Sequence, residues 1–216
     1  MDIEERFLKY VSIDTQSDEY SDTTPSTLKQ LDLGKELVKE MLELGITDAH
    51  LDEYGIVYGT IKGNGGTGDI IGFIAHMDTS PDASGTNIKP QKINKELGLS
   101  LDPEEFVSLK KMVGHDLITT DGTTLLGADD KAGVAIIMDL ANYLYEHPEV
   151  KHNDIKIAFT PDEEVGRGAD NFDVNKFGAK YAYTLDGGDI EEYNYENFNA
   201  YSAQVEICLL YTSDAA

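Results

Sequence analysis

The sequence has one cysteine, few basic residues and no long apolar run, and each of these shortages excludes a class of protein. Cys208 is the only cysteine among 216 residues, so an internal disulfide is excluded. The 17 lysines and arginines are outnumbered by 41 acidic residues, which gives a formal net charge of −24. Such a charge argues against nucleic acid or an anionic membrane as a partner, since both require a cationic surface. No apolar stretch approaches the length of a transmembrane helix.

Two other signals are also missing. The first residues are acidic and amphipathic, unlike the basic start and apolar centre of a signal peptide. The glycine-rich segment 63–68 lacks the lysine of a phosphate-binding loop and the GxGxxG spacing, so we interpret it as a turn. Together with the single cysteine, these features favour a reducing, cytoplasmic location.

Helical and strand patterns alternate along the chain. Apolar residues at helical spacing predict a first helix from Ile3, a second helix that begins at Thr24-Pro25 and stops at Gly45, and a third after Asp129. Short apolar or β-branched runs predict strands around residues 49–53, 56–61, 70–75, 155–160 and 181–185. Residues 78–117 are polar and lack a periodic pattern. This alternation predicts an α/β fold with a mostly parallel sheet flanked by helices.

Four acidic clusters each follow an apolar stretch or a glycine turn. Ligands of open α/β sheets collect at the carboxyl ends of strands, so we expect the clusters to converge on one crevice. Carboxylates at close range repel one another, and one or two divalent cations would be the simplest compensation. The clusters are His76-Met77-Asp78, Asp129-Asp130-Lys131, Asp162-Glu163-Glu164 and Asp186-Gly187-Gly188.

Positions within the clusters suggest different roles. His76 and Asp78 are two residues apart, which puts both side chains on one face of a strand. The imidazole could then bind a metal ion while the carboxylate orients the ring, although a histidine that merely ends a strand gives the same pattern. Asp129 could cap a helix or bridge two cations. Asp186 precedes two glycines that allow close backbone approach, which suits a monodentate ligand.

Glu163 and Glu164 are adjacent, so their side chains diverge. That arrangement suits two roles: one carboxylate would bind a metal ion and the other would accept a proton from water. Two solvated acids in a loop are the alternative explanation. Asp130 and Lys131 are weaker candidates, for packing or pairing around their turn.

The motifs resemble those of the M20 metallopeptidases, and most closely the tripeptide aminopeptidases of the peptidase T group. The resemblance runs in order from near the N-terminus to about Ile207 and implies a fold of the zinc-dependent exopeptidase type. It is carried by the strings at residues 76–82, 127–133, 159–166 and 185–188, with support from Thr15-Gln16-Ser17-Asp18 and Glu196-Asn197-Phe198-Asn199-Ala200.

The resemblance implies two zinc ions and a role for each matching residue. His76 and Asp186 would hold the first zinc ion, and Asp129 would bridge both. Glu164 would hold the second zinc ion. The resemblance further implies that Glu163 is the general base, that Asp78 orients His76, and that the Asp129–Asp130 peptide bond is cis.

Members of that family are longer and continue into a lid and dimerisation domain, which supplies a catalytic histidine, and then return to contribute a last ligand to the second zinc ion. No histidine of this chain stands in either context. We therefore expect residues 1–198 to be the N-terminal part of a catalytic domain, 199–208 the first strand of a truncated lid domain, and 209–216 a non-native tail.

The function implied is hydrolysis of the N-terminal residue from tripeptides by a dinuclear zinc aminopeptidase that forms a homodimer through the lid domain. Its partner would be a small peptide substrate. Another M20-type dipeptidase, carboxypeptidase or amidohydrolase remains an alternative. We expect the 216-residue chain by itself to be inactive, because the residues expected from the later part of the family are absent. A metal-binding fragment without activity is accordingly a second alternative.

Overall fold

The computed structural model describes residues 1–93, 104–112, 114–188 and 192–196, together with residues 201, 203 and 205. The chain divides into two units, Met1–Asp186 and Gly187–Ala216, and all helices and strands given below lie in the first. The expected tail at 209–216 lies outside the described residues, as do all but three residues of the expected lid strand at 199–208.

Four α-helices and seven strands are found within the described residues. The helices are α1 (Ile3–Val11), α2 (Gln30–Leu44), α3 (Ala128–Glu146) and α4 (Val174–Phe177). The strands are β1 (His50–Leu51), β2 (Val57–Ile61), β3 (Ile71–His76), β4 (Gln91–Ile93), β5 (Leu117–Thr119), β6 (Ile155–Thr160) and β7 (Tyr181–Thr184). Short 3₁₀ turns occupy Val107–Met112 and Glu163–Val165. None of the helices in this part of the chain is long and apolar enough to cross a membrane.

Helix α1 begins where the sequence predicts, at a capping box. The Asp2 carboxylate accepts the Glu5 N–H at 2.8 Å, and the Glu5 carboxylate accepts the Asp2 N–H at 3.2 Å. Each bond satisfies a backbone donor that has no partner inside the helix. The buried face of α1 carries Arg6, Tyr10 and Val11.

Helix α2 begins at Gln30, so the prediction that Thr24-Pro25 starts it is wrong. The Thr24–Pro25 peptide bond is cis, and bends and a turn fill the residues up to Gln30. The Ser26 N–H donates to the Asp162 carboxylate at 2.8 Å, so a contact distant in sequence fixes this segment outside the helix. The predicted stop at Gly45 is confirmed, since its φ of 99° lies in the left-handed region that favours glycine.

Helix α3 ends at Glu146, with His147 as its C-cap. Asp129 and Asp130 lie in its first turn with non-helical backbone angles, and the peptide bond between them is cis, as the family resemblance implied.

The main sheet has the order β1-β2-β6-β3-β7. Strand β3 runs parallel to β6 and β7, whereas β2 runs antiparallel to β1 and β6. The predicted α/β class is confirmed, and the sheet is mixed. Because β3, β6 and β7 share one direction, the residues that follow them meet at one edge of the sheet.

A second sheet pairs β4, which lies within the polar segment 78–117, with β5, which begins at the last residue of that segment. Each strand has three residues, which is too short to produce a periodic pattern of apolar side chains.

The sheet carries a large core on one face and a small one on the other, and β6 contributes to both. Ile155, Ile157 and Phe159 pack with buried side chains of α1, α2 and α3. Ala158 points to the other face, where it packs with Tyr58 and with Phe177 of α4. The alternation follows from the period of two residues in a strand.

Candidate metal centre

His76 is the last residue of β3, and its ring is held in one orientation. The residue is buried, with 2% of its surface exposed. Its Nδ1 donates to the Asp78 carbonyl oxygen at 3.0 Å, and its backbone N–H donates to Asp130 Oδ2 at 3.2 Å. Nε2 is thereby left to face the neighbouring carboxylates.

Two carboxylates from other parts of the chain approach this nitrogen. Asp129 Oδ1 lies 3.0 Å and Asp186 Oδ2 4.0 Å from His76 Nε2. One potential ligand atom from each of the three residues lies within 4.8 Å of the others. One imidazole nitrogen and two carboxylate oxygens form a donor set that suits Zn²⁺, so the residues present fit the metal that the resemblance implied.

The electrostatics of this group also favour a cation. Burial alone would lower the pKa of His76, but the carboxylates of Asp78, Asp130 and Asp129 raise it to about 10. Burial raises the pKa of Asp186, the His76 ring opposes this shift, and Asp129 adds to it. The clustered carboxylates thus stabilise positive charge at the position that a divalent ion would occupy.

Asp78 connects β3 to the turn that carries the two glutamates. It is fully buried, and its carboxylate accepts the Glu163 N–H at 3.0 Å and the Glu164 N–H at 3.1 Å. Asp78 Oδ1 also lies 3.3 Å from His76 Nδ1, which has the Asp78 carbonyl as its closer partner. The orienting role expected of Asp78 stays a prediction, to which these contacts add a hold on the backbone of both glutamates.

The two glutamates stand differently with respect to His76. Glu163 Oε2 lies 3.9 Å from His76 Nε2, and its side chain is half-exposed. Burial raises the pKa of Glu164, and Asp129 raises it further, which places Glu164 in the same electrostatic neighbourhood. Glu164 nevertheless does not belong to the three-residue group around His76. The assignment of Glu164 to a second zinc ion therefore stays a prediction.

Asp130 and Lys131 are buried and connect the start of α3 to its surroundings. The Asp130 carboxylate accepts the N–H groups of His76 and Gly133, and burial raises its pKa to about 8. Lys131 Nζ donates to the Ile13 carbonyl at 2.7 Å, and burial lowers the pKa of this lysine to about 8. Both residues thus support the position of Asp129.

Sequence reasoning missed the buried carboxylate of Asp162. It accepts the Ser26 N–H at 2.8 Å, the Ser26 hydroxyl at 2.5 Å and the Gln30 amide at 2.8 Å. In return, the Asp162 N–H donates to Gln30 Oε1 at 3.2 Å. The sequence signal was its place beside Glu163 and Glu164, but the partners are separated from it by 132 and 136 residues.

A cavity of about 440 Å³ opens beside Glu163 and Asp186. Ligand pockets for small molecules fall in the range of roughly 300–1,000 Å³ and are mostly apolar. The apolar side chains in its lining are Ile74, Ala169, Phe172 and Val174.

Comparison with known proteins agrees with this geometry. The profile of the M42 glutamyl aminopeptidases matches residues 112–209. Peptidase T of Desulfitobacterium hafniense is 58% identical over 214 residues, an alignment that covers 94% of this chain and 52% of that protein. Peptidase T of Clostridium perfringens is 55% identical over 215 residues and is covered to 53%. This chain is similar to peptidase T along 94% of its length. It spans about half the length of the curated relatives it matches.

Two solved peptidase structures share the fold. The aminopeptidase PepT from Bacillus cereus has a TM-score of 0.65 and 28% identity, and the match covers 87% of this chain and 43% of that one. An M20 family metallo-carboxypeptidase from Sulfolobus solfataricus has a TM-score of 0.55 at 14% identity, with 87% and 38% covered. The similarity to the carboxypeptidase concerns the fold alone. The predicted relation to peptidase T and the predicted fold class are confirmed.

Proposed function

We propose that this chain supplies the metal site of a dinuclear zinc aminopeptidase that releases the N-terminal residue of tripeptides. The observation that carries the proposal is the convergence of His76, Asp129 and Asp186 within 4.8 Å in a peptidase T homologue. His76 and Asp186 would hold the first zinc ion, Asp129 would lie between the two ions, and Glu164 would hold the second. Bound zinc supplies Lewis acidity, which polarises the peptide carbonyl and makes water nucleophilic near neutral pH.

Glu163 is the general base of the proposed reaction. Its carboxylate accepts a proton from the attacking water and delivers it to the amine that leaves. Burial raises the pKa of Glu163, the His76 ring opposes the shift, and the carboxylate of Asp186 adds to it. A pKa moved toward the operating pH suits a group that must first accept and then release a proton. Asp78 holds the Glu163 backbone and keeps His76 oriented.

The substrate is a small peptide. The cavity beside Glu163 and Asp186 would receive part of it next to the reacting groups. The proposal also includes a cytoplasmic location and a homodimer. Within the chain, residues 1–198 would belong to the catalytic domain, 199–208 to the first strand of a lid domain and 209–216 to a non-native tail.

The rival function is that of another M20-type exopeptidase, such as a carboxypeptidase. A metallo-carboxypeptidase shares the fold, so the fold does not distinguish the two activities. The identity of 58% to peptidase T favours the aminopeptidase.

A substrate panel tests the proposal. The 216-residue chain, and a version extended to the length of its relatives, would be loaded with zinc and given a tripeptide, the matching dipeptide and an N-acetylated tripeptide. We expect the extended version to release the N-terminal residue from the free tripeptide and to lose this activity in His76→Ala, and we expect the 216-residue chain by itself to be inactive. Release of the C-terminal residue would support the carboxypeptidase. Zinc binding without hydrolysis by the shorter chain alone would identify that chain as an inactive metal-binding part.

A further inference from the structure

The turn that carries the two glutamates is held by two buried carboxylates. Asp78 accepts the N–H groups of Glu163 and Glu164. Asp162, the residue directly before them, is bound by Ser26 and Gln30. The Asp162 carbonyl accepts the Arg167 N–H at 2.9 Å, which closes the turn on its other side.

The contacts of Asp162 fix both its side chain and its backbone. Asp162 has a φ of 60°, in the left-handed region that few residues other than glycine adopt. Gln30 binds it in two directions, because its amide nitrogen donates to the carboxylate and its amide oxygen accepts the Asp162 N–H. A change in this pair would therefore rotate the backbone from which Glu163 continues.

We propose that Asp162 is a positioning residue that, through Ser26 and Gln30, sets the direction in which Glu163 and Glu164 leave the turn. The inference rests on the proposed function, which assigns these glutamates as base and metal ligand. Asp162 itself touches neither a metal ion nor a substrate in this scheme.

An exchange of partners tests the proposal without removing the contact. Asp162→Asn replaces an acceptor by a donor, and Gln30→Glu places a second carboxylate against the Asp162 carboxylate. In the double variant Asp162→Asn, Gln30→Glu, the pair again carries one negative charge. The new amide at position 162 then donates to the new carboxylate at position 30. Ser26→Ala is a milder variant, since it removes the hydroxyl and keeps the backbone N–H.

Glu40→Gln is the matched control. Glu40 is also a buried carboxylate in a hydrogen-bonded network, where it accepts from Arg6 at 2.6 Å and from the Tyr10 hydroxyl at 2.8 Å. Among its described contacts there is none to the turn of the glutamates. The Glu40→Gln variant therefore measures how much stability is lost when a buried hydrogen-bond network without a contact to that turn is disturbed.

The measurement is a Co²⁺ titration of each purified 216-residue variant, followed by visible absorption, together with thermal unfolding. Glu164→Ala identifies the binding event that depends on Glu164. We expect Asp162→Asn and Gln30→Glu each to weaken that event by about 10–100-fold and to alter its spectrum, because partners outside the ligand set orient the ligands. Ser26→Ala should have a smaller effect in the same direction, the double variant should recover most of the affinity, and Glu40→Gln should lower the Tm only.

Three results would overturn the inference. If Asp162→Asn lowered the Tm and left the Co²⁺ spectrum unchanged, Asp162 would act on stability alone. The positioning role would also be wrong if Glu164→Ala left Co²⁺ binding unchanged, or if the double variant bound Co²⁺ as weakly as its parents. In either case, tight binding at His76 would still support the proposed function. A chain that bound no Co²⁺ at all would contradict the proposed function itself.

Discussion

Gly133 lies on α3 at a point where no side chain fits, which makes Gly133→Ala a sharp test of how the metal centre is supported. A Cβ at this position would lie less than 3.0 Å from the Leu185 carbonyl oxygen and from both carboxylate oxygens of Asp130. The Gly133 N–H donates to Asp130 Oδ1, and Asp130 Oδ2 accepts the His76 N–H. The added methyl group must therefore move the residue before Asp186, or the carboxylate that holds His76, or both.

The expected cost is a balance of three contributions. Overpacking costs about 1–3 kcal/mol. Weakening the hydrogen bonds to this buried carboxyl group leaves backbone donors unsatisfied and costs about 1–3 kcal/mol more. Alanine is favoured over glycine in a helix by about 1 kcal/mol, which offsets part of the loss. We expect Gly133→Ala to lower the free energy of unfolding by about 1–5 kcal/mol and to weaken zinc binding.

Gly34→Ala is the control, because it makes the same change inside helix α2. Its Cβ would meet the flexible end of the Leu51 side chain at 3.0 Å, which can move aside. We expect its stability to change by less than about 1 kcal/mol. Urea unfolding and calorimetric zinc titration of both variants provide the comparison. If Gly133→Ala matched Gly34→Ala in stability and bound zinc normally, the tight packing around Gly133 would be refuted.

Three further predictions follow from the site and its surroundings. Glu163→Gln, in a polypeptide that includes this chain and hydrolyses tripeptides, should keep its zinc and lose about 10²–10⁴-fold in turnover, whereas loss of the metal would show that Glu163 is a ligand. Calorimetric zinc titration should give one tight event at His76, Asp129 and Asp186 and one much weaker; two equally tight events would contradict the unequal ligand sets. Burial alone would raise the pKa of Asp14. Hydrogen bonds from Lys29, Gln16 and Thr86, together with the charge of Lys29, lower it. Its contribution to stability is therefore present above about pH 4 and lost as the pH falls through the lower folded-state pKa. Asp14→Asn should cost stability in urea unfolding at about pH 7 and progressively less as the pH falls below about 4, and a loss that did not change with pH would count against this assignment.

Features that depend on local sequence were predictable. The start of α1 follows from a capping residue and its glutamate partner, and the end of α2 follows from a glycine that accepts a positive φ. The grouping of His76 and Asp186 follows from parallel strands that end at one edge. For the two helix ends, the physical cause lies within a few residues of the effect.

Features that depend on distant partners were not predictable. Thr24-Pro25 has the pattern of a helix start, but the bond from Ser26 to the Asp162 carboxylate delays the helix to Gln30. The same bond holds the Asp162 carboxylate at Ser26, although Asp162 is adjacent to Glu163 and Glu164 in the sequence. Periodicity does not report hydrogen bonds between residues more than 100 positions apart.

The buried Arg6 network has a consequence for how the chain forms during synthesis. Arg6 binds Glu40 and also Asp139, which lies 133 residues further along. At a translation rate of about 5–20 residues per second, roughly 7–27 s separate the synthesis of Arg6 from that of Asp139. Until Asp139 leaves the ribosome, α1 cannot complete its contacts with α3, and its apolar face stays available to chaperones. Although α1 has a complete capping box at its start, it is therefore among the elements that wait longest for their tertiary partners.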